Sequence, residues 1–132
     1  MSNREKGKSF EKKIKQYLES LSFVVERAKP AARWIGPGRC ISGPNDILGC
    51  ADIMAVHPKK DYTVFIQATS GHGIAPRKKK LETVPWSAAQ RVQLWSPQEK
   101  LRNGIRVLWL HAGEWSMHVF QMEAGKWPEN IL

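Results

Sequence analysis

Four side chains in this sequence combine types and spacings that chemistry can use: Glu11, Asp52, Gln67 and Thr69. Glu11 falls at i, i+3 and i+7 with Ile14 and Leu18, so it projects towards the apolar stripe of a helix. A carboxylate there needs either a partner, such as Lys15 one turn on, or a metal ion. Asp52 interrupts the run Cys50-Ala51-Asp52-Ile53-Met54-Ala55-Val56. Asp is disfavoured inside strands, and the residues sharing its parity (Cys50, Met54, Val56) are apolar. Asp52 therefore marks either an outward strand face or a site that selects for an acid. Gln67 and Thr69 share parity on the following strand, so both point to one face. If the two strands pair around the turn His57–Asp61, Asp52 lies across from the end of the second, and the three side chains converge. A carboxylate, a carboxamide oxygen and the Ala68 carbonyl are hard oxygen donors suited to Mg²⁺. Such an ion activates a water and neutralises charge at a scissile phosphate, and Glu11 would approach from the helix.

The elements that must position these groups are legible in outline. Phe10, Ile14, Tyr17, Leu18 and Leu21 trace one face of an amphipathic helix from Ser9 to Leu21. Phe23–Arg27 reads as a strand. Lys29–Asn45 holds three Pro and three Gly and reads as a long loop. Strands follow over Ala51–Val56 and Tyr62–Ala68, paired as an antiparallel hairpin. Arg77–Val84 is a short helix with Pro76 suited to its first turn. Val92–Trp95 is a strand, Pro97–Asn103 a turn or short helix, and Ile105–His111 with Trp115–Gln121 a second hairpin. The tail after Glu123 reads as irregular. The order predicts one α/β domain spanning 1–132, a mixed β-sheet flanked by helices.

Composition narrows the partners. The chain has 132 residues, 42% hydrophobic and 25% charged, ordinary values for a folded domain. No apolar run approaches a membrane span, and two cysteines without metal-binding spacing fit a reducing, cytoplasmic compartment. Lys and Arg number 21 against 12 acids, a net charge of +9. The excess clusters in the first helix (Lys8, Lys12 and neighbours) and in the run Arg77-Lys78-Lys79-Lys80, which favours a polyanionic partner, DNA or RNA. Six Trp serve mainly packing, with one or two available to stack on bases.

Taken in order, Gly7-Lys8-Ser9-Phe10-Glu11, Phe23-Val24-Val25-Glu26-Arg27, Asn45-Asp46, Ala51-Asp52-Ile53 and Ile66-Gln67-Ala68-Thr69 resemble a PD-(D/E)xK nuclease. The likeness is to the small archaeal-type Holliday junction resolvases and their phage relatives, over about the first two-thirds of the chain. It implies a restriction-endonuclease-like mixed sheet with helices on both sides. It also implies divalent-metal-dependent hydrolysis of branched DNA, such as a four-way junction, by a homodimer. Glu11 matches the acid of the first helix and Asp52 the metal-binding Asp, with Ala51 in place of the usual Pro. Gln67 stands at the Glu of the ExK motif and Thr69 at its Lys. Gln67 brings an oxygen without charge, so Mg²⁺ (or Mn²⁺) binds more weakly, and the cation lost at Thr69 must come from elsewhere. Lys79 and Lys80, with Arg77 and Lys78 as comparable choices, are the replacements at hand.

Other candidates are less determined. Asp46 fits a metal ligand or the cap of an Asx-turn. His72, between two glycines, fits a general base, a phosphate contact or a solvated loop residue. Arg33 and Arg39 fit a DNA-contacting arm or an ordinary surface loop. Two functions follow: an endodeoxyribonuclease, or a nuclease-fold protein that binds DNA without cutting it. Acids facing DNA repel phosphate, so Glu11 and Asp52 favour the enzyme and disfavour a basic RNA-binding domain.

Overall fold

The computed structural model describes residues 3–28, 31–36, 39–43, 47–70, 73–98, 104–122 and 126–132; for residues 3–6, 31–36 and 39–43 only the backbone is described. The amphipathic face of the first helix, α1 (Asn3–Ser20), does what its period dictates: Phe10, Ile14, Tyr17 and Leu18 are all buried. The helix ends at Ser20, and Ser22, with a left-handed φ of 71°, turns the chain into strand β1 (Val24–Arg27).

The stretch read as a long loop contains a hairpin instead. Strands β2 (Ala31–Gly36) and β3 (Arg39–Gly43) pair antiparallel, from Ala31 with Gly43 to Gly36 with Arg39, as a separate two-stranded sheet. The glycines and prolines that suggested a loop flank two short β-forming runs, Trp34-Ile35 and Cys40-Ile41. They punctuate strands rather than replace them.

The main sheet has six strands in the order β1-β4-β5-β6-β7-β8. Strand β4 (Ile53–Val56) pairs antiparallel with β1 and with β5 (Thr63–Ala68), Ile53 standing opposite Ile66. After β5 the chain crosses through α2 (Ile74–Glu82) and returns as β6 (Gln90–Gln98), parallel to β5. A parallel neighbour requires such a crossover, and this is the single parallel pair of the sheet among the described residues. Pro76 lies in the first turn of α2, where a missing N–H does no harm. Pro97 and Gln98, expected in a turn, continue β6. The pairing with β5 stops at Trp95, so Pro97 needs no donor on that side and pairs only with β7. Strands β7 (Gly104–His111) and β8 (Glu114–Gln121) close across Ala112-Gly113, both at positive φ, the conformation of a tight hairpin turn.

Alternation divides the sheet's side chains between two cores. On the α1 side Ile53, Ala55, Val64, Ile66, Trp95, Ile105 and Val107 pack against Phe10, Ile14, Tyr17 and Leu18. On the α2 side Val92, Leu94, Leu108 and Cys50 pack around Leu81. Residues 126–132 are irregular, as expected, yet they belong to the core. Ile131 is fully buried, Trp127 packs edge-on against Phe10, Tyr17 and Trp95, and the Tyr17 hydroxyl donates to the Pro128 carbonyl. Burial pushes the Tyr17 phenol up to about 12; a backbone hydrogen bond from Ile131 opposes this and the charge of Glu129 adds to it. Gln93, buried among apolar residues, is satisfied at both ends of its amide: Nε2 donates to the Ile131 carbonyl and Oε1 accepts from the Trp95 indole. No helix among the described residues is long and apolar enough to cross a membrane.

Candidate functional site

In open sheets that mix strands and helices, sites collect where the chain leaves a strand for a crossover. Here that place is the carboxyl end of β5. Because β4 runs antiparallel to β5, the residue entering β4 lies beside it, and that residue is Asp52. The backbone of Asp52 is pinned from both sides: its N–H donates to the Ile66 carbonyl at 2.9 Å, and its carbonyl accepts from Ala28 at 2.7 Å.

The Asp52 side chain is equally fixed. Oδ2 accepts from Gln67 Nε2 and from the backbone N–H of Ala68, both at 2.9 Å. The same Gln67 amino group also reaches the Ala68 carbonyl at 3.3 Å. Val64, Ile66 and Ala68 face the α1 core, so Phe65, Gln67 and Thr69 alternate to the α2 side, where Phe65 packs on Trp86. Thr69 is tied to β6 by its backbone N–H, 2.9 Å from the Trp95 carbonyl. Gln67 and Thr69 are both buried, whereas Asp52 is half-buried at the rim. The expected convergence of Asp52 and Gln67 is therefore a direct hydrogen bond, with Thr69 next on the same face.

Glu11 pairs with Arg27 rather than with Lys15. Arg27 Nη2 donates to Glu11 Oε2 at 3.0 Å, while Lys15 pairs with Glu19 at 3.7 Å. Arg27 ends β1, opposite Ile53 in register and one residue before the Ala28–Asp52 backbone bond. Its Nε is buried without a hydrogen-bond partner among the described residues. Sequence reasoning passed over Arg27, although a signal was present: it shares strand parity with Val25, which packs against the α1 core. A charge on the apolar side of a strand was the argument that singled out Asp52.

The basic residues spread over the surface. Lys8 and Lys12 are exposed on α1, and Lys79 and Lys80 are exposed in the last turn of α2, where their charge complements the helix dipole. Lys79 and Lys80 make no ion pair among the described residues. Arg77 Nη1 donates to the Gly73 carbonyl at 3.1 Å, and Lys78 lies over the Trp115 ring, 5.3 Å from its centre. Asp46 and His72 lie outside the described residues, as do the side chains of Arg33 and Arg39.

No family model, curated protein or solved structure matches this chain. Among the described residues no three His, Cys, Asp or Glu side chains stand together as a metal cluster. The donor set at Asp52 is one carboxylate plus neutral oxygens. Asp52 Oδ2 and the Ala68 carbonyl converge on a single nitrogen, and two oxygens so placed also suit a small hard cation. The group fits, with less negative charge than a pair of carboxylates would offer.

Proposed function

We propose that this protein is a divalent-metal-dependent, structure-specific DNA endonuclease, a Holliday junction resolvase that hydrolyses phosphodiesters at branched DNA. The observation that carries the reading is the convergence of Asp52, Gln67 and the Ala68 carbonyl at the carboxyl end of β5. The mixed sheet with a helix packed on each face is consistent with the restriction-endonuclease-like architecture that the sequence resembles.

In this reading Asp52, the Ala68 carbonyl and, once its amide turns to present Oε1 in place of Nε2, Gln67 would hold Mg²⁺, with Mn²⁺ as a substitute; Glu11, on the resemblance, and Asp46 are the further oxygen donors. The ion supplies an activated water and neutralises charge on the phosphate. The protein's own residues do the rest. The Ala68 N–H fixes the Asp52 carboxylate, and Arg27 fixes Glu11. The exposed cations of α1 and α2 attract the phosphate backbone, and Lys79 and Lys80 are the candidates for the cation that Thr69 does not provide. Recognition of a junction by shape needs backbone contacts rather than base readout.

One observation favours a second reading, a nuclease-fold protein that binds DNA without cutting. Asp52 Oδ2 already accepts two N–H donors, and the side chain that supplies one of them, Gln67, is neutral. Cleavage of a labelled four-way junction separates the two, with linear duplex as control, in Mg²⁺, in Mn²⁺ and in chelator, beside Asp52→Ala. Paired, metal-dependent nicks that the variant loses support the resolvase. Junction binding with no cutting in either metal replaces it with the binding protein.

A further inference from the structure

The sheet face that carries Gln67 and Thr69 changes character along its strands. Under α2 it is apolar, with Val92, Leu94 and Leu108 packed around Leu81. Towards the carboxyl end of β5 it turns polar. Alternation from Leu94 and Leu108 puts Ser96 and Gln98 of β6, and Arg106 of β7, on this same side. Ser96 stands opposite Arg106, and Thr69, bonded through its N–H to the Trp95 carbonyl, continues that row on β5. Thr69 and Ser96 are only 4% and 3% exposed, so polar groups hold places that leucines fill one row away.

Arg106 is the charge in this row. It interrupts Ile105-Arg106-Val107-Leu108 on an interior strand. It is half-buried, its Nη2 donates to Gln98 Oε1 at 3.1 Å, and its Nε is buried without a hydrogen-bond partner among the described residues. Arg27 has the same unsatisfied Nε, but Glu11 neutralises its charge. Arg106 makes no ion pair among the described residues. A cation drawn out of water beside a neutral amide carries a desolvation cost that an anion would offset.

We propose that Arg106 binds a backbone phosphate of the DNA strand held at Asp52, at a second contact on the same face of the sheet. The proposal rests on the reading of this protein as one that engages DNA at Asp52, and it adds the residue that fixes the strand beyond that site. Thr69 and Arg106 lie two strand spacings apart, about 10 Å. Phosphates of one duplex strand follow one another every ~3.4 Å of helix axis, so Arg106 would meet a phosphate about three along from the one at the metal site. A guanidinium suits the task because its planar N–H groups match two phosphate oxygens at once. The exposed lysines of α1 and α2 attract DNA without fixing its place. Arg106, held by Gln98 and packed into the sheet, would set the register of the strand.

The test is a fluorescence-anisotropy titration of a labelled four-way junction in chelator, at several salt concentrations, with folding checked by circular dichroism. Arg106→Gln should weaken binding about tenfold and lower the dependence of log K on log salt by about one unit. Arg106→Lys keeps the charge and should restore the salt dependence, which a merely structural arginine would not govern. A second variant leaves Arg106 in place and decides the matter if Arg106→Gln fails to fold. Val119 is 41% exposed and stands opposite Arg106, so in Val119→Glu the new carboxylate would pair with the guanidinium and exclude phosphate. That variant should also bind about tenfold more weakly, whereas Ser116→Glu, exposed on the other face of β8, should change binding much less. Affinity and salt dependence unchanged in the folded Arg106 and Val119 variants overturn the proposal, even where the junction is cut. So does a Ser116→Glu loss equal to that of Val119→Glu, or a wild type that binds no DNA. Weakened binding in the variants of a wild type that never cuts keeps the role of Arg106 and removes only the nuclease.

Discussion

Gln67 Nε2 lies 2.9 Å from Asp52 Oδ2 and 3.3 Å from the Ala68 carbonyl, so one amino group spans the two oxygens of the proposed metal site. The amide donor and a cation compete for the same lone pairs. Replacing the amide by a carboxylate removes that competitor and adds a charge. In Gln67→Glu, two carboxylates share a buried site, which neither tolerates well when ionised. The metal-free variant should be less stable than the wild type by about 1–3 kcal/mol, and Mg²⁺ should raise its melting temperature more than it raises that of the wild type. Thermal melts in Mg²⁺ and in chelator check both.

Asp52→Ala leaves the Gln67 amino group with one acceptor fewer and the Ala68 N–H without its carboxylate. Stranding those donors should cost about 1–3 kcal/mol in urea unfolding. If the protein is the proposed nuclease, metal-dependent cutting should disappear, while junction affinity should hold or rise as a repulsive charge is lost.

The Glu11–Arg27 pair is about three-quarters buried at both side chains. Breaking it leaves a largely buried charge without this partner, so Arg27→Ala and Glu11→Ala should each destabilise the fold. A double-mutant cycle should return a coupling of about 1–2 kcal/mol, larger than an exposed pair gives. The Lys15–Glu19 pair, more exposed at 38% and 49%, should show much less.

The phenol of Tyr17 gives the fold an alkaline limit. Its pKa is raised from 10.0 to about 12, so between these values the unfolded chain loses a proton that the folded one keeps. Stability should be intact below pH 10 and decline above it, by up to about 1.4 kcal/mol per pH unit. Denaturation at pH 9 and pH 11 should show this decline in the wild type and a smaller one in Tyr17→Phe.

If Lys79 and Lys80 contact phosphate, each change to Ala should weaken junction binding without altering its structural preference. Each should also lower the dependence of log K on log salt by about one unit. A fluorescence-anisotropy titration at several salt concentrations measures this.

The sequence was most informative where period and burial coincide. The stripe through Phe10, Ile14 and Leu18 marks α1, and pairing across the turn His57–Asp61 is enough to bring Asp52 beside Gln67. It misled between Lys29 and Asn45, because glycine and proline mark the ends of short strands as readily as they mark loops. It could not assign the partner of Glu11. Lys15 was the nearer cation along the chain, but Arg27 is nearer in space, and only the packing of α1 against β1 brings it there. The role of residues 126–132 was invisible for a related reason: an irregular segment has no period to betray which side chains are buried.

The clasp between α1 and that segment bears on how fast the protein folds. Tyr17 and Pro128 are 111 residues apart, and Gln93 reaches Ile131 across 38. Contacts so distant in sequence must close large loops before they return any binding energy, and chains dominated by them fold slowly. The slow phase of refolding should therefore report the docking of Trp127 against Tyr17 and Trp95 rather than the formation of either helix.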